Sequence, residues 1–300
     1  MTTARARIVV AINPEASFGT RRDVGPRVVD ALEAAGYDAV PLVQPNMELL
    51  RREVASAVES GADALVVVGG DGMVSLGVNI VADTTTPLGI VPSGTGNDAA
   101  RGLGIPLDDV DAAIASLIAA LERAPRAVDL GRVRQGGLST WFLGVLSAGF
   151  DSLVNERANR MSRPRGKSRY TIAMLRELVT FKPLEYTVTA DGNMTMTRAM
   201  LIAVANNQSI GGGMLVAPDA QLDDGLLDLF VVTPMSKFAF VRVFPKVFSG
   251  THTSLEQVHL SRVRSVRLEA SGAVAYADGE RIGALPVDVE VAQAALRVLA

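Results

Sequence analysis

At 300 residues the chain exceeds the size at which one core keeps growing comfortably, so two domains are expected. Apolar residues at 48% and charged residues at 20%, with 28 glycines, describe a folded globular protein rich in tight turns and exclude a disordered one. A net charge of -3 argues against a nucleic-acid partner, and the absence of cysteine excludes disulfides, thiolate nucleophiles and cysteine metal sites while suiting a reducing, cytoplasmic compartment.

The first apolar run, 7–12, ends at Asn13-Pro14 and is too short for the centre of a signal peptide. Runs 38–43, 63–68 and 87–91 are likewise short, apolar and bounded by turn residues, as buried parallel strands are. Helical spacing over 22–35, 46–60 and 73–82 alternates with them, with Gly36 and Gly61 where C-terminal caps belong. This alternation predicts a doubly wound, mainly parallel α/β domain over 1–126. After a helix at 108–121 the texture changes to strands at 127–134, 139–148, 184–191, 196–205, 227–233 and 263–269. These predict a larger antiparallel β domain over 127–287, with a helical insert at 151–181 and a C-terminal tail, 288–300, that packs back on the first domain. Asp191-Gly192-Asn193 is read as a hairpin turn. No apolar run reaches the roughly 18–20 residues that cross a bilayer; the longest, Trp141 to Phe150, holds two glycines and a serine.

The third strand runs into Gly69-Gly70-Asp71-Gly72, which opens a helix. Glycines there let backbone N–H groups approach phosphate oxygens beside a helix N-terminus, and Asp71 among them calls for a divalent cation or a proton. The fourth strand ends in Pro92-Ser93-Gly94-Thr95-Gly96-Asn97-Asp98, a second glycine-rich loop on the same sheet edge, and Asn13-Pro14 adds a third. None is a P-loop, because no Gly-Lys-Ser or Gly-Lys-Thr follows.

These motifs, with Ala99-Ala100-Arg101-Gly102-Leu103-Gly104-Ile105-Pro106, Gly211-Gly212-Gly213, Ala217-Pro218-Asp219-Ala220, Leu222-Asp223-Asp224-Gly225-Leu226-Leu227-Asp228 and Asp278-Gly279-Glu280, make the chain resemble the diacylglycerol kinase catalytic family in its bacterial soluble branch. The resemblance spans essentially the whole chain. It implies an α/β nucleotide-binding domain, a β-sandwich domain and an active site in the cleft between them. It further implies ATP and Mg2+ as cofactors and transfer of the γ-phosphoryl to a lipid hydroxyl, diacylglycerol first among the candidates. By the same resemblance, Asn13, Pro14, Gln44, Gly69, Gly70, Asp71, Gly72, Met73, Gly94, Thr95, Gly96, Asn97 and Asp98 hold the nucleotide, with Asp71 near the catalytic magnesium. Glu280 is the implied proton acceptor, with Asp278 as its alternative. A structural magnesium is implied at the Asp224 carboxylate and the carbonyls of Gln221 and Leu226. The lipid substrate lies at the membrane surface, which implies transient peripheral association; a homodimer is compatible with the family.

The chain departs from the family pattern at Met73, Ser75 and Leu76, where threonine, asparagine and glutamate are usual, and in the spread-out first loop, Asn13 to Gly19. Met73 removes a hydroxyl donor and Leu76 a carboxylate, which predicts weakened or unusual nucleotide use. Arg157, Arg160, Arg163, Arg165, Lys167 and Arg169 precede the apolar-rich stretch Tyr170 to Phe181, a combination suited to anionic lipid. His252 and His259 lack a histidine partner at metal spacing and are read as packing or surface residues. Two other functions stay open: an NAD kinase, which shares the Gly-Gly-Asp-Gly architecture, and a nucleotide- or lipid-binding protein with weakened catalysis.

Overall fold

A computed structural model of the chain describes residues 5–13, 23–149 and 182–300. Pro14, the rest of the first loop to Gly19, the basic run from Arg157 to Arg169 and the stretch from Tyr170 to Phe181 lie outside the described residues. The chain divides into two compact units, one of residues up to Val128 together with 294–300, the other of 129–293.

In the first unit, β1 (Arg7–Ile12), β2 (Asp38–Leu42), β3 (Ala64–Gly69) and β4 (Leu88–Pro92) form a parallel sheet in the order β2-β1-β3-β4. Every residue of β3 and β4 is buried, which is why these strands are apolar throughout rather than alternating. Between them run α1 (Val24–Ala34), α2 (Met47–Glu59) and α3 (Asp71–Val81), followed by the short α4 (Asp98–Gly102) and α5 (Val110–Leu121). Asn46 caps α2 by accepting from the Leu49 N–H at 3.0 Å, and Asp109 caps α5 through the N–H groups of Asp111 and Ala112. Helix α3 buries Met73, Val74, Leu76 and Val78, and it lies close to the sheet because Gly77 has no side chain. A Cβ at Gly77 would come within 2.8 Å of Leu88 Cδ1 and 2.9 Å of Val67 Cγ1. The C-terminal residues complete this unit: Val298 and Leu299 pair in parallel with Leu88 and Gly89.

The second unit is a sandwich of two largely antiparallel sheets. One contains β9 (Asn193–Ala199), β8 (Leu184–Ala190), β15 (Ser265–Glu269) and the first part of β18 (Val287–Leu299), to which β5 (Arg126–Gln135) and then β6 (Leu138–Phe142) are added. The other runs β14 (Val258–Val263), β13 (Leu227–Val232), β10 (Leu201–Ala205), β7 (Val145–Gly149), β16 (Val274–Ala277) and β17 (Glu280–Ala284). Phe142, Tyr186, Val188 and Leu268 from the first sheet meet Leu146, Ile202, Val204 and Leu229 from the second in a shared core. Two short strands, β11 (Ser209–Ile210) and β12 (Met214–Leu215), pair beside it.

Three expectations need correction. The helix expected from residue 73 begins at Asp71, because Gly70 already acts as its N-cap. The strand expected over 139–148 is two, β6 and β7, interrupted where the N–H groups of Leu143 and Gly144 turn to the Asp278 carboxylate instead of a ladder partner. The strand expected over 196–205 is also two, β9 and β10, which lie in different sheets on either side of Met200. Asp191 and Gly192 form the expected hairpin turn, both with positive φ (47° and 82°) and with Ala190 paired to Asn193. Among the described residues, no helix is long and apolar enough to cross a membrane.

His252 is buried against Phe230, with ring centroids 5.6 Å apart, whereas His259 is exposed on β14. Burial pushes the His252 pKa below its ordinary value. The unfolded imidazole takes up a proton near pH 6.5 while the folded one resists it, so its contribution to stability is complete above about pH 6.5 and falls as the pH drops below that value. Urea midpoints at pH 7.5 and 5.5 are therefore expected to separate further in the parent protein than in His252→Gln. Equal separation in the two proteins would contradict this assignment.

Candidate functional site

In the first unit the site is built from two strand ends. β3 delivers Gly69 and Gly70 directly into α3, whose hydrogen-bond ladder starts with Met73 and Val74 donating to the Gly70 carbonyl at 2.9 and 3.2 Å. The helix geometry therefore leaves the N–H groups of Asp71 and Gly72 for an outside acceptor. Gly72 is exposed, and nothing lies within 4 Å of where its Cβ would be.

The end of β4 is tied to this turn by the Ser93 N–H, which donates to the Gly69 carbonyl at 2.9 Å. Gly94 then lies against Gly70, so that a Cβ at Gly94 would come within 2.4 Å of Gly70 Cα. Asn97 holds the second loop in shape from a left-handed conformation (φ 55°), one that asparagine tolerates better than most residues. Its Oδ1 accepts from the Gly94 N–H at 3.0 Å and its Nδ2 donates to the Gly94 carbonyl at 3.1 Å. Arg101 braces the same loop through Asp98 Oδ1 at 2.7 Å and the Gly96 carbonyl at 3.2 Å. Thr95 is exposed at the loop's tip.

Asp71 joins the two loops. Its Oδ1 accepts from the Ala99 N–H at 3.2 Å, at the start of α4. Burial, and then the neighbouring Asp98 carboxylate, raise its pKa, while the backbone N–H groups of Ala99, Asp98 and Asn97 oppose the rise. Among the described residues, the result is a carboxylate with no cationic partner next to backbone donors left over by the helix geometry. The Asp71 carboxylate and phosphate oxygens together suit magnesium, which is commonly bound by one or two carboxylates plus substrate phosphates.

Asn13 follows β1 with its N–H on the Val68 carbonyl at 3.1 Å, and its Cβ is near Gly69. Gln44, beyond β2, donates its amide to Glu53 on α2. Met73 and Leu76 are buried; Met73 covers Gly69, where a Cβ would meet its Cγ at 2.4 Å. Met73 and Leu76, two of the departures from the family pattern, are thus absorbed into the core, and neither side chain offers a polar group to a ligand.

In the second unit Asp278 and Gly279 form the two-residue turn between β16 and β17, with φ of 48° and 82° and Ala277 paired to Glu280. The Asp278 carboxylate accepts from three backbone N–H groups, Leu143 at 2.9 Å, Gly144 at 2.9 Å and Val145 at 3.1 Å. Three of its roughly four acceptor positions are thereby engaged in holding the turn. Glu280 is exposed, and among the described residues no hydrogen bond or ion pair engages its carboxylate.

The support beneath this turn was not anticipated from the sequence. Buried Asn206 donates Nδ2 to the carbonyls of Asp129 and Leu143, both at 2.9 Å, and the N–H groups of Asn206 and Asn207 donate to the Gly144 carbonyl. Buried Asp129 accepts from the Gly225 N–H at 2.7 Å. An acid inside the apolar run Val128-Asp129-Leu130 and an Asn-Asn pair closing the apolar β10 were the available signals.

The turn expected to hold a structural magnesium is differently engaged. Asp224 Oδ1 accepts from the Leu226 N–H at 3.0 Å, and Arg262 faces its Oδ2 at 3.8 Å. Burial raises the pKa of nearby Asp228, Arg262 lowers it, and Asp224 and Asp219 raise it further. Among the described residues, no cluster of three metal-binding side chains occurs. Asp224 thus already meets one backbone donor and one cation, and Arg262 competes for its carboxylate with the implied magnesium.

Comparison with known proteins adds independent findings. Residues 7–133 match the family model described as the diacylglycerol kinase catalytic domain, and residues 144–300 match the YegS C-terminal NAD kinase beta sandwich-like domain. A diacylglycerol kinase of Mycobacterium tuberculosis (strain ATCC 25618 / H37Rv) is 38% identical over 295 residues, covering 98% of this chain and 94% of that protein. A diacylglycerol kinase of Bacillus subtilis (strain 168) is 27% identical over 286 residues, covering 94% and 91%. The crystal structure of a diacylglycerol kinase from Bacillus anthracis str. Sterne superposes with a TM-score of 0.73 at 22% identity, covering 99% of this chain and 98% of that one, a likeness of fold.

Proposed function

The chain belongs to the diacylglycerol kinase family, and from that premise we propose that it transfers the γ-phosphoryl of ATP, with magnesium, to the hydroxyl of diacylglycerol, giving phosphatidic acid and ADP. The observation that carries the reading is Asp71, a half-buried carboxylate with a raised pKa at the N-terminus of α3 that accepts from the N–H of Ala99 at the start of α4. Such a group is costly unless a cation joins it, and the adjacent backbone donors suit the anion that would bring one.

The roles divide between the two units. The N–H groups of Asp71 and Gly72 receive phosphate oxygens, with the exposed Thr95-Gly96 tip close to the same loops. Met73 contributes no donor, so the backbone carries this contact. The Asp71 carboxylate would hold the magnesium, which when bound would neutralise charge on the phosphates and on the transferring group. Glu280 accepts the proton of the attacking lipid hydroxyl, which becomes a better nucleophile as that proton leaves. Asp278, Asn206 and Asp129 fix the turn that carries Glu280.

Thermal unfolding tests the binding half of this proposal. The folded pKa of Asp71 is raised, so its ionised form weakens the fold at neutral pH and a cation on it should relieve that cost. MgATP is expected to raise the unfolding temperature, ATP with a chelator to raise it less, and Asp71→Asn to lose the difference. Magnesium alone separates the two sites, because a structural site at Asp224 held at 100 times its Kd would add about 2.7 kcal/mol without nucleotide. No shift with MgATP beyond that of magnesium alone would overturn the nucleotide assignment.

A further inference from the structure

We propose that the segment Lys237 to Phe248 in the second unit is a docking surface for anionic lipid bilayers. The surface begins with α6 (Lys237–Val243), whose start is capped by Ser236 Oγ accepting from the Ala239 N–H at 3.1 Å, and continues through a 3-10 turn over Phe244–Ser249. No residue of either element is fully buried.

The aromatic residues divide by direction. Phe240 and Phe244 pack on the core around Val145, Met200, Phe230 and Val232, and so anchor the segment. Phe244 continues the contact outward to Phe248, with ring centroids 6.0 Å apart. Phe238, Val241 and Phe248 turn the other way and are 79%, 45% and 51% exposed. Phe238 and Val241 are three positions apart, which places them on one helix face. A helix that leaves its largest apolar side chains in water this way has a face that lacks its partner.

Charge selects the partner. Lys237, Arg242 and Lys246 are exposed among these apolar residues, and residues 229–255 contain no aspartate or glutamate. A second copy of the chain docked on the same face would gather two sets of these cations into one interface, with no acidic residue of the segment to oppose them. An anionic bilayer instead receives the rings at its headgroup boundary while the cations meet lipid phosphates, the arrangement of interfacial helices. The choice of lipid as occupant rests on the lipid-kinase reading; the exposed rings and the charge pattern stand without it.

Flotation with vesicles tests the surface in the absence of ATP. The whole protein is expected to float with phosphatidylcholine vesicles containing phosphatidylglycerol and to stay behind with phosphatidylcholine alone. Each cation removed should weaken binding about fivefold, so Arg242→Gln with Lys246→Gln should lose on the order of 25-fold. Phe238→Ser should cost about tenfold for the apolar area lost. Met194→Ser with Met196→Ser, which changes exposed methionines on β9, should bind like the parent. Phosphorylation of diacylglycerol in detergent micelles should survive all these changes, while phosphorylation in vesicles should fall with binding.

Absence of flotation by the parent, or undiminished flotation by the Arg242, Lys246 and Phe238 variants, would overturn the proposal. A dimer in sedimentation that dissociates in Phe238→Ser would overturn it in favour of a second copy. Lack of kinase activity under every condition would sink the proposed reaction while leaving the flotation result to judge the surface.

Discussion

Glu280→Ala is expected to lower turnover with a lipid acceptor by roughly 100- to 10,000-fold, the range in which a positioned proton acceptor contributes. The acceptor's KM should change little, because the lost interaction serves the transition state rather than binding. Stability should stay within about 0.5 kcal/mol, as for other exposed positions without a structural role. Asp278→Asn should behave differently. That carboxylate receives three backbone N–H groups, and weakening them should cost about 1–3 kcal/mol of stability together with activity. Steady-state kinetics and urea unfolding on the two variants distinguish the group that reacts from the group that holds the turn. Full turnover by Glu280→Ala, or unfolding comparable to that of Asp278→Asn, would remove Glu280 from the reaction.

Gly94→Ala should disable the phosphate loops. The added methyl would sit 2.4 Å from Gly70 Cα, 2.8 Å from Asn97 Oδ1 and 3.1 Å from the Gly70 nitrogen. Two of these are backbone atoms that cannot rotate aside, so the loops must separate. Overpacking of this kind costs about 1–3 kcal/mol, and displacing the loops by an ångström or so should weaken catalysis on the order of 100-fold. Calorimetric titration with MgATP and a urea curve check both effects. Gly72→Ala, whose Cβ would meet no protein atom within 4 Å, is the control for the urea curve alone. Parent-like nucleotide binding by Gly94→Ala would mean that the contact between the two loops is dispensable.

The parallel sheet was legible because its inner strands are buried on both faces and so appear in the sequence as unbroken apolar runs between turn residues. The two glycine-rich loops were legible as strand ends running into helices. Their mutual contact was not, since Gly70 and Gly94 are 24 positions apart and nothing in either motif states that one packs on the other. The breaks that divide 139–148 and 196–205 were hidden for a related reason. Leu143 and Gly144 leave the ladder for Asp278, more than 130 residues later, and Met200 marks a change of sheet that apolar patterning does not record. β14, β16 and β17 were missed because short strands with mixed patterning resemble loops.

Within the candidate site, the tight Asp278-Gly279 turn was visible as a turn sequence, but its carboxylate's commitment to backbone donors was not. The same holds for Asn206 and Asp129, whose importance depends on partners from distant segments. At the Asp224 turn the acidic cluster was legible, but Arg262, remote in sequence and 3.8 Å from the Asp224 carboxylate, was not. Motif reading singled out the groups proposed to react more readily than the groups that hold them in place.

The most direct measurement is transfer of label from γ-labelled ATP in magnesium to diacylglycerol, a sphingoid base, ceramide, phosphatidylglycerol and NAD offered side by side. Label is expected in phosphatidic acid, and it should disappear with Glu280→Ala. Label in NADP alone, or in no acceptor despite bound MgATP, would contradict lipid phosphorylation by this site.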